Sequence, residues 1–178
     1  MQPTIIRTIE PEDILMLKAA FLTRGIDRDE DYFEQCIEEN RYGKRITLLA
    51  FYNNNLAGCC QMICESRYMH FKEQQIPEIN DLIVFPEFRR NGIATLLMDE
   101  LERIAAKHHC KVGLGVGLYK DYNTAMHLYV KRGYLPDRQG LMYRNEPVKP
   151  GSNVSVDDDL LLYFIFPLTS KAKAEQKI

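Results

Sequence analysis

The 178-residue sequence predicts an α/β (α+β) protein in which a mixed sheet, mostly antiparallel, is flanked by helices. Three features lead to this. Apolar segments with β-favouring composition alternate with amphipathic stretches of helical period, strand–helix–strand through the middle of the chain. Asn53-Asn54-Asn55 separates two apolar runs, the mark of a hairpin. The most regular helical stretch begins at Gly92, directly after an apolar strand that ends at Pro86.

In chain order, Thr4 to Thr8 alternates as a first strand. Glu10-Pro11-Glu12-Asp13 opens a helix, because acids and a proline suit its first turn. Ile14, Leu15, Leu17, Ala20 and Phe21 form its apolar face, and Gly25 ends it. Asp29 to Arg41 is a second helix with Tyr32, Phe33, Cys36 and Ile37 on one face, closed by Gly43. The hairpin follows, from Ile46 to Tyr52 and from Leu56 to Cys64. Gln74 to Phe85 is the next strand, and Gly92 to His109 a helix with Ile93, Leu96, Leu97, Leu101, Ile104 and Ala105 inward. The glycine-rich Val112 to Leu118 predicts a strand with close neighbours. Asn123 to Lys131 is a short helix stopped by Gly133, and Tyr134 starts another strand. Asn145 to Asp159 reads as a polar loop, Leu160 to Leu168 as a final strand. The total is about six or seven strands and four helices in one domain, 1–170, with a charged tail at 171–178.

Composition narrows the function. A net charge of −2 with no basic stripe argues against a nucleic-acid partner. The start of the chain lacks the basic and apolar regions of a signal peptide. No stretch supplies the roughly 20 apolar residues of a membrane span. A cytoplasmic protein that binds neither nucleic acid nor membrane is expected. The five cysteines are odd in number and form no Cys-x-x-Cys pair, so free, mostly buried thiols are expected, Cys110 among the packing residues. His108-His109-Cys110 has no second ligand cluster at suitable spacing, so no metal is expected.

The segment from Asp81 to Ala94 carries the functional argument. The first amides of a helix have no internal partner, and the helix dipole adds positive potential there. A diphosphate at that end would receive several N–H donors together. Gly92 and Ala94 are small enough to let phosphates approach the backbone. Gly113-Leu114-Gly115-Val116-Gly117 is a poorer dinucleotide signal: its third glycine comes one residue early, and no long helix follows at once.

Arg89-Arg90-Asn91-Gly92-Ile93-Ala94 resembles the phosphate loop of the GNAT superfamily of N-acetyltransferases, which reads Gln or Arg, two residues, Gly, one residue, then Gly or Ala. A second match is Asn123-Thr124-Ala125-Met126-His127-Leu128-Tyr129, continued by Gly133-Tyr134. The strong resemblance covers roughly Glu78 to Tyr134. It implies the GNAT fold with splayed central strands and acetyl-CoA as co-substrate. It assigns Arg89, Arg90, Asn91, Gly92, Ile93, Ala94 and Thr95 to the diphosphate, Leu82, Ile83 and Val84 to the pantetheine arm, and Asn123 also to the cofactor.

Acetyl transfer to an amine requires that the amine lose a proton, the thioester carbonyl be polarised and the leaving thiolate be stabilised. The resemblance makes Tyr129 the general acid. A phenol of pKa about 10 still carries its proton at neutral pH. It also makes the Val84 N–H the carbonyl donor. For the base, Glu78 and Asp81 lie eleven and eight residues before Arg89, spacings found in different relatives. In an unbroken strand Glu78, Asn80, Leu82 and Val84 would share a face and Asp81 would point away, which ranks Glu78 first. A chain of waters is the third option.

The implied function is direct attack by a primary amine, of a small molecule or peptide, in a ternary complex with acetyl-CoA. The alternative is a catalytically silent module that binds acyl-CoA. Acceptor walls are expected among Phe21, Arg24, Tyr32, Phe71 and Tyr119. Asp157-Asp158-Asp159 reads as a solvated strand entrance in preference to a cation-steering patch. The sequence does not fix the oligomeric state; a homodimer, the commonest oligomer, stays open.

Overall fold

The computed structural model describes residues 4–168. In chain order it contains β1 (Ile5–Thr8), α1 (Ile14–Leu22), α2 (Glu30–Arg41), β2 (Arg45–Tyr52), β3 (Asn55–Ile63), α3 (Met69–Glu73) and β4 (Glu78–Val84). Then come α4 (Ile93–Ala105), β5 (Lys111–Gly117), α5 (Asn123–Arg132), β6 (Leu135–Tyr143), β7 (Glu146–Pro147) and β8 (Leu160–Pro167). The strands follow the order β1-β2-β3-β4-β5-β8-β6-β7. β4 and β5 are parallel, whereas β1–β2, β2–β3, β5–β8, β6–β8 and β6–β7 are antiparallel. This is the mixed, mostly antiparallel sheet that the sequence predicts, with α3 and β7 added. The tail expected at 171–178 lies outside the described residues.

The chain divides into two compact units, Met1–Cys64 with Asn80–Arg103, and Glu65–Ile79 with Ile104–Ile178. In the first unit the β2–β3 hairpin turns on Asn53 and Asn54, both left-handed (φ 50° and 63°), the two-residue turn that matches strand twist. Asp29 caps α2 by accepting from the Tyr32 amide at 2.9 Å. A core of Leu17, Phe21, Phe33, Cys36, Leu49, Cys59 and Phe85 joins both helices to the strands. Leu15, expected on the inner face of α1, is 76% exposed; Leu17 and Phe21, four residues apart and expected there too, are buried. On α4 the expected Leu96 is likewise 41% exposed, and Met98 is buried. α4 also stops at Ala105, four residues before the expected end. The Lys107 and His108 amides turn back to carbonyls three residues earlier, not four.

In the second unit, β5 is glycine-rich because aromatic rings lie on its backbone. A Cβ at Gly113 would overlap the Phe71 ring, one at Gly117 the Tyr122 ring, and one at Gly115 would stand 3.0 Å from the Tyr163 ring. Phe71 comes from α3, within a stretch that the sequence leaves unassigned. As a result β4 starts at Glu78 and not at the expected Gln74. The supposed loop after Tyr143 begins with a second tight turn, on left-handed Arg144 and Asn145, and this creates β7.

The β4–β5 ladder consists of Glu78↔Gly113 and Ile79↔Leu114, and β4 continues to Val84 past the last of these pairs. On its other edge β4 meets β3 closely. A Cβ at Gly58 would overlap the Ile83 carbonyl oxygen. Gly58→Ala must therefore push the two backbones apart, at a cost of about 2–3 kcal/mol. The expected result is a lower urea midpoint at unchanged m-value; an unaltered midpoint would show that the strands can separate freely here.

Candidate active site

The turn from β4 into α4 is built by local geometry. Phe85 is buried and its amide donates to Ala57 O at 2.9 Å, which fixes the strand end. Pro86–Phe88 forms one 3-10 turn. The Arg89 Nε folds back to donate to Val84 O at 3.1 Å, and Asn91 Nδ2 donates to Phe88 O at 3.0 Å. Arg90 and Gly92 are both left-handed (φ 63° and 77°). Leu96 N donates to Gly92 O at 3.1 Å, so Gly92 is the residue from which the helix starts. The amides of Ile93, Ala94 and Thr95 have no helix carbonyl one turn before them. A Cβ at Gly92 would meet nothing within 4 Å. Within the protein, glycine is required there for its φ, not for space. Arg89, Arg90, Asn91 and Gly92 are exposed. A helix start, small residues and two exposed arginines fit a diphosphate.

β4 is not an unbroken strand. Asp81 is left-handed (φ 46°), which interrupts the side-to-side alternation. The reasoning that set Glu78, Asn80, Leu82 and Val84 on one face and Asp81 on the other does not hold across that residue. After the break Ile83 and Phe85 belong to the α1–α2 core. Asp81 turns to α2, where Tyr32 Oη donates to its Oδ2 at 2.7 Å and Gln61 Nε2 donates to Tyr32 Oη at 2.7 Å. Arg28 lies 3.8 Å from Asp81 Oδ1, over the Tyr32 ring. Burial, then the Asp81 charge, raises the Tyr32 phenol well above its ordinary range.

In the second unit Glu78 is half-buried. Burial raises its pKa above the ordinary carboxylate value, and the Ser66 hydroxyl, which donates to Oε2 at 2.5 Å, opposes the rise. Tyr68 Oη donates to Asp137 Oδ2 at 2.8 Å, and its ring stacks on Tyr163 at 3.9 Å. Burial, then the nearby Glu78 charge, raises the Tyr163 phenol. The sequence signalled none of Ser66, Tyr68, Asp137 and Tyr163 as neighbours of Glu78. They come from the segment before α3, from β6 and from β8, and share no motif.

Tyr129 is the buried residue of α5, at 8% exposure, with its ring 6.0 Å from that of Tyr134. Gly133 ends the helix at φ 97°, as expected. Asn123 is the exposed first residue of α5. Of the residues expected to line an acceptor site, Phe21 and Phe71 are core, Arg24 pairs with Glu87 above the Phe85 ring, and Tyr119 donates to Asp158. The acid run is a set of staples. Asp157 accepts from Tyr143, Asp158 from Tyr119 and Tyr122, and Asp159 pairs with Arg144.

Burial pushes the Cys59 thiol up to about 12 and raises Cys36, Cys60 and Cys64 as well, so none is poised as a nucleophile. Cys110 is exposed and not a packing residue, because it follows the turn that ends α4. Among the described residues no group of three or more His, Cys, Asp or Glu could hold a metal ion. No described helix is long and apolar enough to cross a membrane.

A mixed sheet in which a strand ends in a 3-10 turn, a left-handed glycine and the start of a long helix defines a protein of the α/β class. The acetyltransferase (GNAT) family profile matches residues 14–134. The chain belongs to this family, whose members are acetyl-CoA-dependent N-acetyltransferases. No curated protein matches it. Among solved structures it is similar to an N-acetyltransferase from Staphylococcus aureus Mu50, at 16% identity over 94% of this chain and 99% of the other, with a TM-score of 0.70. It is also similar to a spermidine N-acetyltransferase from Vibrio cholerae in complex with CoA and spermine (16%, 93% and 96%, 0.66). A third is an N-acetyltransferase from Thermoplasma acidophilum in complex with coenzyme A (15%, 93% and 99%, 0.63). At these identities the likeness is one of fold.

The Glu78 environment makes a stability prediction. A carboxyl whose pKa is raised by folding favours the folded state below the ordinary carboxylate pKa and loses that advantage as pH rises through the raised value. Glu78→Gln removes the buried charge. It should melt a few degrees above the unmodified protein at pH 8, with the gap closing toward pH 4 in calorimetry. A gap independent of pH would contradict the burial argument.

Proposed function

We propose that this chain transfers the acetyl group of acetyl-CoA to a primary amine by direct attack in a ternary complex, and that it does so in the cytoplasm without nucleic acid or membrane. The observation that carries the reading is the left-handed Gly92, from which the first turn of α4 begins. The family match, which runs through both units, supports a single catalytic domain.

Acetyl-CoA, when bound, supplies the activated thioester. The amides and side chains of Arg89, Arg90, Asn91, Gly92, Ile93, Ala94 and Thr95 would hold its diphosphate. Leu82, Ile83 and Val84 would run beside the pantetheine arm, with Asn123 as a further contact. Glu78, with its raised pKa, accepts a proton from the acceptor ammonium, whose ordinary pKa is about 10.4. The neutral nitrogen then attacks the thioester carbon. The Val84 N–H donates to the carbonyl oxygen as negative charge gathers there. As the C–S bond breaks, Tyr129 gives its proton to the departing sulfur and the nitrogen gives up its second proton to solvent, from which Tyr129 regains one. The net change is one amide, one thiol and one released proton.

Asp81 is the less available candidate, because Tyr32 and Arg28 already engage both of its oxygens. The acceptor is a small-molecule or peptide amine. The solved neighbour that binds spermine makes polyamines the first compounds to test.

Free thiol release from acetyl-CoA should appear with at least one member of a panel of polyamines, amino acids, aminoglycosides and peptides. Binding of CoA with no release for any of them would favour a silent binding module. Gly92→Glu, which sets a charge and a side chain in a left-handed turn, should abolish CoA binding in calorimetric titration. Near-normal affinity would refute the loop assignment. Tyr129→Phe should bind CoA normally and lose about 100-fold in kcat. An unchanged kcat would leave Tyr129 with a packing role alone.

A further inference from the structure

Ser66 precedes α3 and is 1% exposed. Its oxygen lies between a donor and an acceptor. The Tyr68 backbone N–H donates to Ser66 Oγ at 3.0 Å, and Ser66 Oγ donates to Glu78 Oε2 at 2.5 Å. A hydroxyl has one proton. With the amide on a lone pair, that proton is directed at the carboxylate. Tyr68 is itself held in place. Its hydroxyl is bound to Asp137, its ring is stacked on Tyr163, and Tyr163 Oη donates to Asn145 Oδ1 at 2.7 Å. Asp137 in turn accepts from the Gln139 amide at 2.9 Å. The amide that fixes Ser66 thus belongs to a residue with little freedom to turn.

We propose that Ser66 is a positioning residue for acetyl transfer: it ties down Glu78 Oε2 and leaves Oε1 as the oxygen that takes the acceptor's proton. This rests on the reading of Glu78 as the base. In the step the ammonium N–H bond breaks, its electron pair stays on nitrogen, and the proton forms an O–H bond with Oε1. Glu78 later releases it to solvent, and Ser66 keeps its own proton throughout. The tie has a second effect. A donor to the ionised carboxylate favours that form and so moderates the rise that burial causes.

The groups that act on Glu78 are Ser66 from the segment before α3 and Tyr163 from β8; Tyr68, which fixes Ser66, is bound to Asp137 of β6. On β5 the register partner is Gly113, which has no ionisable group. Ser66 is the group whose hydrogen bond lowers the Glu78 pKa, and its loss should act in one direction.

Carboxyl-carbon NMR titration of the full chain, labelled at glutamate, tests this without an acceptor. Glu78→Gln identifies the resonance by its disappearance. Ser66→Ala should raise the Glu78 pKa by about one pH unit, the size expected for one hydrogen bond to a charged group. Ser66→Thr, which keeps the hydroxyl, should leave it in place. Ser66→Cys, a weaker donor of similar size, should give a smaller rise and serves if the alanine variant does not fold. An unmoved pKa in the alanine or cysteine variant would overturn the inference and leave the reading of Glu78 intact. In pH profiles of kcat/KM with the panel amine that gives most thiol release, the acid limb of Ser66→Ala should move upward with the NMR value. A Glu78→Gln variant that keeps full kcat/KM and its acid limb would instead overturn Glu78 as base, and with it the catalytic role given to Ser66.

Discussion

A helix cannot satisfy its own first amides, and at the start of α4 those of Ile93, Ala94 and Thr95 have no carbonyl one turn earlier. Much of the surrounding structure keeps this end open and aimed. Phe85 is anchored in the core, Pro86 begins a turn that cannot continue as strand, and Arg89 returns to the strand's last carbonyl. Arg90 and Gly92 then reverse the chain with left-handed backbone. The arginine at the first motif position therefore has a structural use, since its Nε closes the turn whatever else the guanidinium meets.

β4 changes character along its length. Its first residues pair with β5, and its later ones run on to the phosphate turn. Asp81 marks the change in its backbone, and a non-glycine residue holds φ 46° there with its carboxylate fastened to Tyr32. Strained backbone of this kind persists where surrounding contacts over-determine it.

In the proposed reaction Glu78 sets stability against activity. A half-buried carboxylate is unfavourable when charged, yet a base must be charged to act. The structure keeps it with one hydroxyl, near the Tyr163 ring, without a neutralising cation among the groups that shift it. The resulting pKa lies closer to neutrality than that of a solvated glutamate, which suits proton transfer at physiological pH.

The turn before α4, the hairpin, the helix caps and the order of elements were legible because each is encoded within a few residues: Asn53-Asn54, Asp29, Gly92, Gly133. The two signatures flanking α4 and within α5 also placed the chain in its family. α3 was hidden because five residues are too few for a helical period. β7 was hidden because Arg144-Asn145 is not a strong turn signal. The glycines of β5 announced close neighbours, but not that these would be Phe71, Tyr163 and Tyr122.

The sequence by itself thus determined the fold class and the turn before α4, since local backbone preferences suffice for these, and its resemblance to a family named Glu78 and Tyr129 as candidates. Only the tertiary structure decided that Asp81 breaks the strand, that the acid run at 157–159 is spent on tyrosines and an arginine, and that Ser66 holds Glu78. Those outcomes depend on residues far apart in the chain meeting in space. Long-range packing sets such meetings, and no local pattern records them.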